Sequence, residues 1–208
     1  MVTEPNLGVE ILYVEGMRDN KALVNAGRFL PTLKMSPFNN LLTKNQHHTI
    51  LSSGFNIVSD IVKKGVERAD AVGKFDSVFM YEGEVNWSGK SCYRVVIYDP
   101  TWALTTYRAL KGEKMYDVAL KFLIPEYSIA ELNGVKSFEE DLTGRVLKIP
   151  TTYARKTVFY IDKETHFPIF QEMSDNKGVF ERYEISNLII NPAFKLDEFS
   201  ENFAEYKF

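Results

Sequence analysis

The 208-residue chain carries 25 basic against 28 acidic residues, with 45% hydrophobic and 13% aromatic residues. That composition describes a globular protein, and a net charge of -3 offers no basic field, so nucleic acid is excluded as an expected partner. No apolar run approaches the ~18 residues of a membrane span, and the lone Cys92 rules out an internal disulfide.

The first residues, Met1-Val2-Thr3-Glu4-Pro5, have neither a basic region nor an apolar core, so no signal peptide is expected in this chain. Residues 9–14 read as a strand, turned by Gly16 and Asp19-Asn20 into a second strand over 21–24. Pro31 and Pro37 mark an irregular passage. Thr49 is the expected N-cap of an amphipathic helix carrying Ile50, Phe55, Val58, Ile61 and Val62 and ending near Gly65. A strand is expected over 75–87, a turn at Trp87-Ser88-Gly89-Lys90, and a partner strand over 91–99. Cys92 falls among apolar strand neighbours and reads as a buried, inert thiol.

Residues 105–150 follow a different rhythm. Thr105 to Ala109 is β-prone and stops at Lys111-Gly112. Glu113 then places a carboxylate in the first turn of a helix, where the macrodipole favours it. Met115, Val118, Ala119 and Phe122 recur at helical spacing. Pro125 ends that helix and opens a second one, with Ile129 and Leu132 on its apolar face and Asn133-Gly134 as its stop. Val146-Leu147-Lys148-Ile149 is the closing strand, and Pro150 places it at an edge. Such punctuation would suit any inserted βααβ unit.

Beyond the insertion the β pattern resumes. Strands are expected over 156–162, 168–173 and 179–190, with turns at Lys163-Glu164-Thr165 and Asp175-Asn176-Lys177-Gly178. The fold class that follows is α+β: a curved antiparallel sheet packed on one long helix, with an inserted βααβ unit.

Two resemblances attach to these motifs. Lys111-Gly112-Glu113, Met115-Tyr116-Asp117-Val118-Ala119, Ile129-Ala130-Glu131-Leu132-Asn133 and the ending Leu147-Lys148-Ile149-Pro150 resemble, in order and spacing, the LysM module. That module binds peptidoglycan or chitin in a shallow groove between two loops. The resemblance therefore implies glycan contact through Gly112, Glu113, Lys114, Met115, Asn133 and Gly134. The family usually has a small hydroxyl after the acidic position, where this chain has Lys114, so a structural insert without a ligand stays open beside glycan binding.

The second resemblance lies in the hairpin ladder. Phe159-Tyr160-Ile161-Asp162-Lys163-Glu164-Thr165, Pro168-Ile169, Asp175-Asn176-Lys177-Gly178, Tyr183-Glu184-Ile185 and Asn191-Pro192 resemble the C-terminal half of the LolA/LolB-like lipoprotein carrier superfamily. Leu12-Tyr13-Val14-Glu15-Gly16 and Asn45-Gln46-His47-His48-Thr49 look more narrowly like an uncharacterised family of secreted bacterial proteins within it. The resemblance implies a half-open barrel over 1–104 and 151–208, interrupted by the LysM-like unit at 105–150. It also implies a hydrophobic ligand such as lipoprotein acyl chains, and the periplasm or cell envelope of a Gram-negative bacterium. Strands expected upstream are absent, so Met1 reads as an internal start, and the strand at 9–14 is expected to pair with a second copy in a homodimer.

The chain has fifteen Phe and eleven Tyr, clustered in the strands. A sheet with Phe79, Tyr81, Tyr93, Val95, Ile97, Phe159 and Tyr183 on one face would line an apolar pocket; the competing reading is an ordinary core between sheet and helix. The pair His47-His48 has no further metal ligands at useful spacing and is read as hydrogen bonding ahead of Thr49. Glu139-Glu140-Asp141 and Asp197-Glu198 read as solvated loops, and no nucleophile elbow, phosphate loop or dinucleotide fingerprint is present. The sequence thus points to a non-enzymatic envelope protein without cofactor or metal. A structural scaffold and a cell-wall glycan hydrolase are the alternatives, the latter requiring a carboxylate pair facing one cleft.

Overall fold

A computed structural model of the chain describes residues 9–27, 30–44 and 46–208. Residues 1–8 and Asn45, on which parts of the sequence reading rest, lie outside them. The chain starts with three short strands, β1 (Glu10–Leu12), β2 (Ala22–Asn25) and β3 (Leu33–Met35), in an antiparallel sheet of that order. β2 is central and buried throughout, which its Ala-Leu-Val composition suits. The chain end returns here: Asn25 Nδ2 donates to Lys207 O, and Lys207 N donates to Glu10.

A short helix, α1 (Asn40–Thr43), is capped by Asn39, whose side chain accepts from Leu41 N. The long helix α2 (Phe55–Ala71) begins later than the sequence suggests. Thr49 leads only into the single turn Ile50–Ser52, and α2 starts after Gly54, whose φ of 101° breaks the path between the two. It also runs straight through Gly65. An added Cβ there would stand 3.3 Å from the Phe79 ring, so glycine at this point permits close approach and is not a stop.

After α3 (Phe75–Val78) comes the hairpin β4 (Phe79–Trp87) and β5 (Lys90–Tyr98). Its two-residue turn, Ser88-Gly89, has φ of 50° and 81°, the primed geometry that matches strand twist. Residues 75–78 were expected as strand and form helix instead. Next follow β6 (Leu104–Arg108), α4 (Met115–Phe122), α5 (Glu126–Asn133) and β7 (Val146–Pro150), with β6 antiparallel to β7 from Leu104↔Pro150 to Arg108↔Val146. This βααβ segment has its own close-packed core, built around Met115, Val118, Ile129, Leu142, Leu147 and Ile149.

The chain then completes the larger sheet with β8 (Lys156–Asp162), β9 (Pro168–Ser174) and β10 (Val179–Glu184). β10 stops six residues short of the expected end. The order β10-β9-β8-β5-β4 is antiparallel throughout and open, with β4 and β10 as edges. The described residues therefore form a mixed α/β protein with antiparallel sheets, five helices and no closed barrel.

Register fixes the two faces of this sheet. Phe79↔Ile97, Tyr81↔Val95, Val95↔Phe159, Phe159↔Gln171 and Gln171↔Tyr183 are opposed pairs, so these side chains share one face. Tyr93, two residues from Val95, belongs to it as well. The other face holds Val96, Val158 and Phe170, overlain by Trp87, Tyr160 and Met80.

Candidate functional site

α2 faces the sheet without packing tightly onto it. Of its residues only Ala69 is buried, although Ile57, Val58, Ile61 and Val62 form an apolar stripe. Between that stripe and the sheet lies an open groove of about 1680 Å³. Phe79, Ile97, Phe159 and Met173 line it from the sheet, while Leu120, Leu123 and Ile124 close one side from the βααβ segment. Of the seven aromatic and aliphatic residues expected in a pocket, Phe79, Ile97, Phe159 and Tyr183 line the groove. Tyr81, Tyr93 and Val95 share the face but lie outside it, Tyr81 being 61% exposed and edge-on to Tyr93.

A buried polar cluster forms one part of the groove wall. His48 Nδ1 lies 2.5 Å from Glu126 Oε2, and Nε2 lies 2.9 Å from Glu181 Oε1. Ser52 Oγ donates to the other oxygen of Glu126 at 2.6 Å. Tyr153 Oη donates to the other oxygen of Glu181 at 2.7 Å and lies 2.9 Å from His48 Nε2. His47 approaches Glu181 at 3.5 Å while stacking on Tyr127. The carboxylate-bearing side chains are 3% and 2% exposed.

Charge follows from that geometry. Burial alone would lower the His48 pKa, but the hydrogen bonds to Glu126 and Glu181 raise it to about 10, so the ring is an imidazolium donating from both nitrogens. Burial would likewise raise Glu181, and hydrogen bonds from His47 and His48, with the His48 charge and the Tyr153 hydroxyl, bring it down to about 2. Burial and the adjacent Glu181 push the Tyr153 and Tyr183 hydroxyls upward, holding both protonated. The cluster joins the loop before α2, the start of α5, the β7–β8 connection that carries Tyr153, and the edge strand β10.

None of this was read from the sequence beyond the histidine pair. His48, Glu126, Tyr153 and Glu181 share no local spacing. One signal was available: Glu181 has the strand parity of Tyr183, which puts a carboxylate on the apolar face.

The residues expected at a glycan site are placed as follows. Met115 is fully buried in the βααβ core. The Glu113 carboxylate accepts from Leu110 N at 2.7 Å, Tyr107 Oη at 2.7 Å and Lys121 Nζ at 3.0 Å. Burial opposes its charge, while these donors hold its pKa below the ordinary value. Asn133 bridges α5 to β7, its amide donating to Ile129 O and Lys148 O and accepting from Lys148 N. Gly112 and Gly134 are exposed, and Lys114 is half-buried with its ammonium over the Phe38 ring. The hydroxyl cap missing at Lys114 is replaced from the other side, since Lys114 N donates to Asp117 at 2.8 Å.

Among the described residues no group of three or more His, Cys, Asp or Glu side chains is arranged to hold a metal ion. Among them too, no helix is long and apolar enough to cross a membrane. Cys92 is fully buried, with burial raising its thiol pKa. No protein family, no curated protein and no solved structure matches the chain.

Proposed function

We propose that the protein binds an apolar chain in the groove between α2 and the sheet, without catalysis. One observation carries this reading: apolar residues of α2 and the sheet face each other across about 1680 Å³ of open space, where an ordinary domain would be close-packed. The open five-stranded sheet with a helix across it accords with a LolA/LolB-like half-barrel over 1–104 and 151–208, whose ligand would be lipoprotein acyl chains. The βααβ order of 104–150 and its separate core accord with an inserted LysM-like unit. A Gram-negative cell envelope is the compartment that joins these two readings. Since Glu113, Met115 and Asn133 serve the fold of that unit, peptidoglycan contact would run through Gly112, Lys114 and Gly134.

The hydrolase alternative calls for two carboxylates flanking a scissile bond. Glu126 and Glu181 do border one groove, but a single imidazolium fills the space between them, and their oxygens already accept from Ser52, His48 and Tyr153. That occupancy favours a structural part for the pair. A homodimer through β1 belongs to the same proposal, because β1 has β2 as its only strand neighbour among the described residues.

The test is displacement of a neutral environment-sensitive dye by long-chain acyl compounds. Dye and acyl chain should compete in the wild type, and Ile61→Glu, on the groove side of α2, should abolish binding of both. Tyr81→Glu, outside the groove, should leave binding unchanged. Equal binding to all three proteins would place the dye elsewhere and favour the scaffold reading.

A further inference from the structure

α2 crosses the inner face of the sheet on a diagonal. Phe55, at its start, meets Phe167 between β8 and β9 at 4.8 Å between ring centroids, and Gly65, further along, sits against Phe79 of β4. One corner of that face is thereby left uncovered, near the tip of the β4–β5 hairpin. Tyr81 and Tyr93 stand there, 61% and 37% exposed and edge-on to each other at 6.1 Å. Lys163 Nζ lies 5.0 Å from the centre of the Tyr93 ring and pairs with Glu84. The opposed pairs Glu84↔Tyr93 and Asn86↔Ser91 put Asn86 on the same face, two residues beyond Glu84.

Asn86-Trp87-Ser88 has the residue order of an asparagine-linked glycan acceptor. Of the thirteen asparagines in the chain, only Asn86 has Ser or Thr two residues later. Bacterial enzymes that transfer such glycans also read an acidic residue two positions before the asparagine, and Glu84 stands there. Asn86, Ser88, Gly89, Lys90 and Ser91 are all exposed, and β4 is an edge strand. Only the pairs Asn86↔Ser91 and Trp87↔Lys90 lie between the acceptor and the turn.

Resting on the envelope compartment proposed above, we infer that Asn86 carries an N-linked glycan, added during export, and that this glycan covers the Tyr81–Tyr93 corner. The donor is a polyprenyl-pyrophosphate-linked glycan brought by a membrane oligosaccharyltransferase. The Asn86 amide nitrogen bonds to the anomeric carbon, the bond from that carbon to the pyrophosphate oxygen breaks, and the amide loses one proton as the lipid pyrophosphate leaves. In the folded hairpin Glu84 is engaged by Lys163, so transfer belongs to the chain before this corner closes. Tyr93 is a diagonal neighbour of Asn86, roughly 7–8 Å away across the strands, within reach of the first sugar. The apolar C–H face of a pyranose can then lie on the tyrosine rings while its hydroxyls stay in water.

The test is peptide mass spectrometry on the protein purified from the cells that make it, after separation of cytosol from envelope. Sugar mass is expected at Asn86 on the tryptic peptide 75–90 from the envelope fraction, and it should be absent from Asn86→Gln and Ser88→Ala. Nitration by tetranitromethane should be severalfold slower at Tyr81 and Tyr93 in the glycosylated protein than in Asn86→Gln. An exported protein with unmodified Asn86 would overturn the inference and leave the groove reading intact. A protein found only in the cytosol would remove the envelope reading and this inference with it. A glycan at Asn86 that leaves both tyrosines as reactive as in Asn86→Gln would overturn the covering role.

Discussion

His48 is held between two buried carboxylates drawn from a helix start and a sheet edge, and its hydrogen bond and charge help hold Glu181 ionised against its burial. Removing one partner of such a cluster leaves an uncompensated buried charge. His48→Gln should therefore cost about 3 kcal/mol in urea unfolding near pH 6, and adding Glu181→Gln should recover part of that loss. The pH dependence has a defined sign. A folded pKa of about 10 against 6.5 gives a contribution complete below about 6.5 and lost as pH rises through about 10. Glu181, lowered from 4.5 to about 2, contributes fully above about 4.5 and loses that contribution as pH falls through about 2. Stability should be highest between those limits, and His48→Gln should flatten the alkaline decline; an unchanged alkaline limb would mean that His48 is not the group titrating there. Little of this was legible in the sequence. Glu126 follows Pro125 at a helix start, which reads as a dipole-favoured surface charge. Only the three-dimensional meeting of four separate segments buries it.

At the level of elements, turn chemistry was the most readable signal. Ser88-Gly89 and Asp175-Asn176-Lys177-Gly178 placed the β4–β5 and β9–β10 hairpins, and alternation then put Phe79, Tyr81, Tyr93, Val95, Ile97, Phe159 and Tyr183 on one face. Helix limits were less readable, because Gly65 looks like a stop and works as a contact point for Phe79. Which residues of the shared face line the groove was not readable either, since that depends on where α2 crosses. Asn133 offers a sharp test of its element. Three hydrogen bonds tie α5 to β7 through its side chain, so Asn133→Ala should lower thermal stability by about 2 kcal/mol. A stable Asn133→Ala that instead loses chito-oligosaccharide binding would make Asn133 a ligand contact.

For the molecule as a whole, buried packing is unevenly distributed. The largest buried cluster lies inside the βααβ segment, while the space between α2 and the five-stranded sheet stays open. The β4 edge is blunted by a bulge at Tyr81/Glu84 and by the ion pairs Glu82–Arg94 and Glu84–Lys163, so it is a poor template for a second chain. Among the described residues β1 carries neither a bulge nor an ion pair, and light scattering should show self-association that Ile11→Lys suppresses; a monodisperse wild-type monomer would mean that this edge is covered.

The central claim is that the groove is a binding cavity, and methyl NMR during titration with a long-chain acyl compound tests it most directly. The account predicts shifts at Ile57, Ile61, Ile97, Ile124 and Met173, with Leu142 and Leu147 of the βααβ core unmoved. Absence of shifts at the groove methyls, or shifts confined to exposed apolar residues such as Ile189 and Leu196, would contradict it.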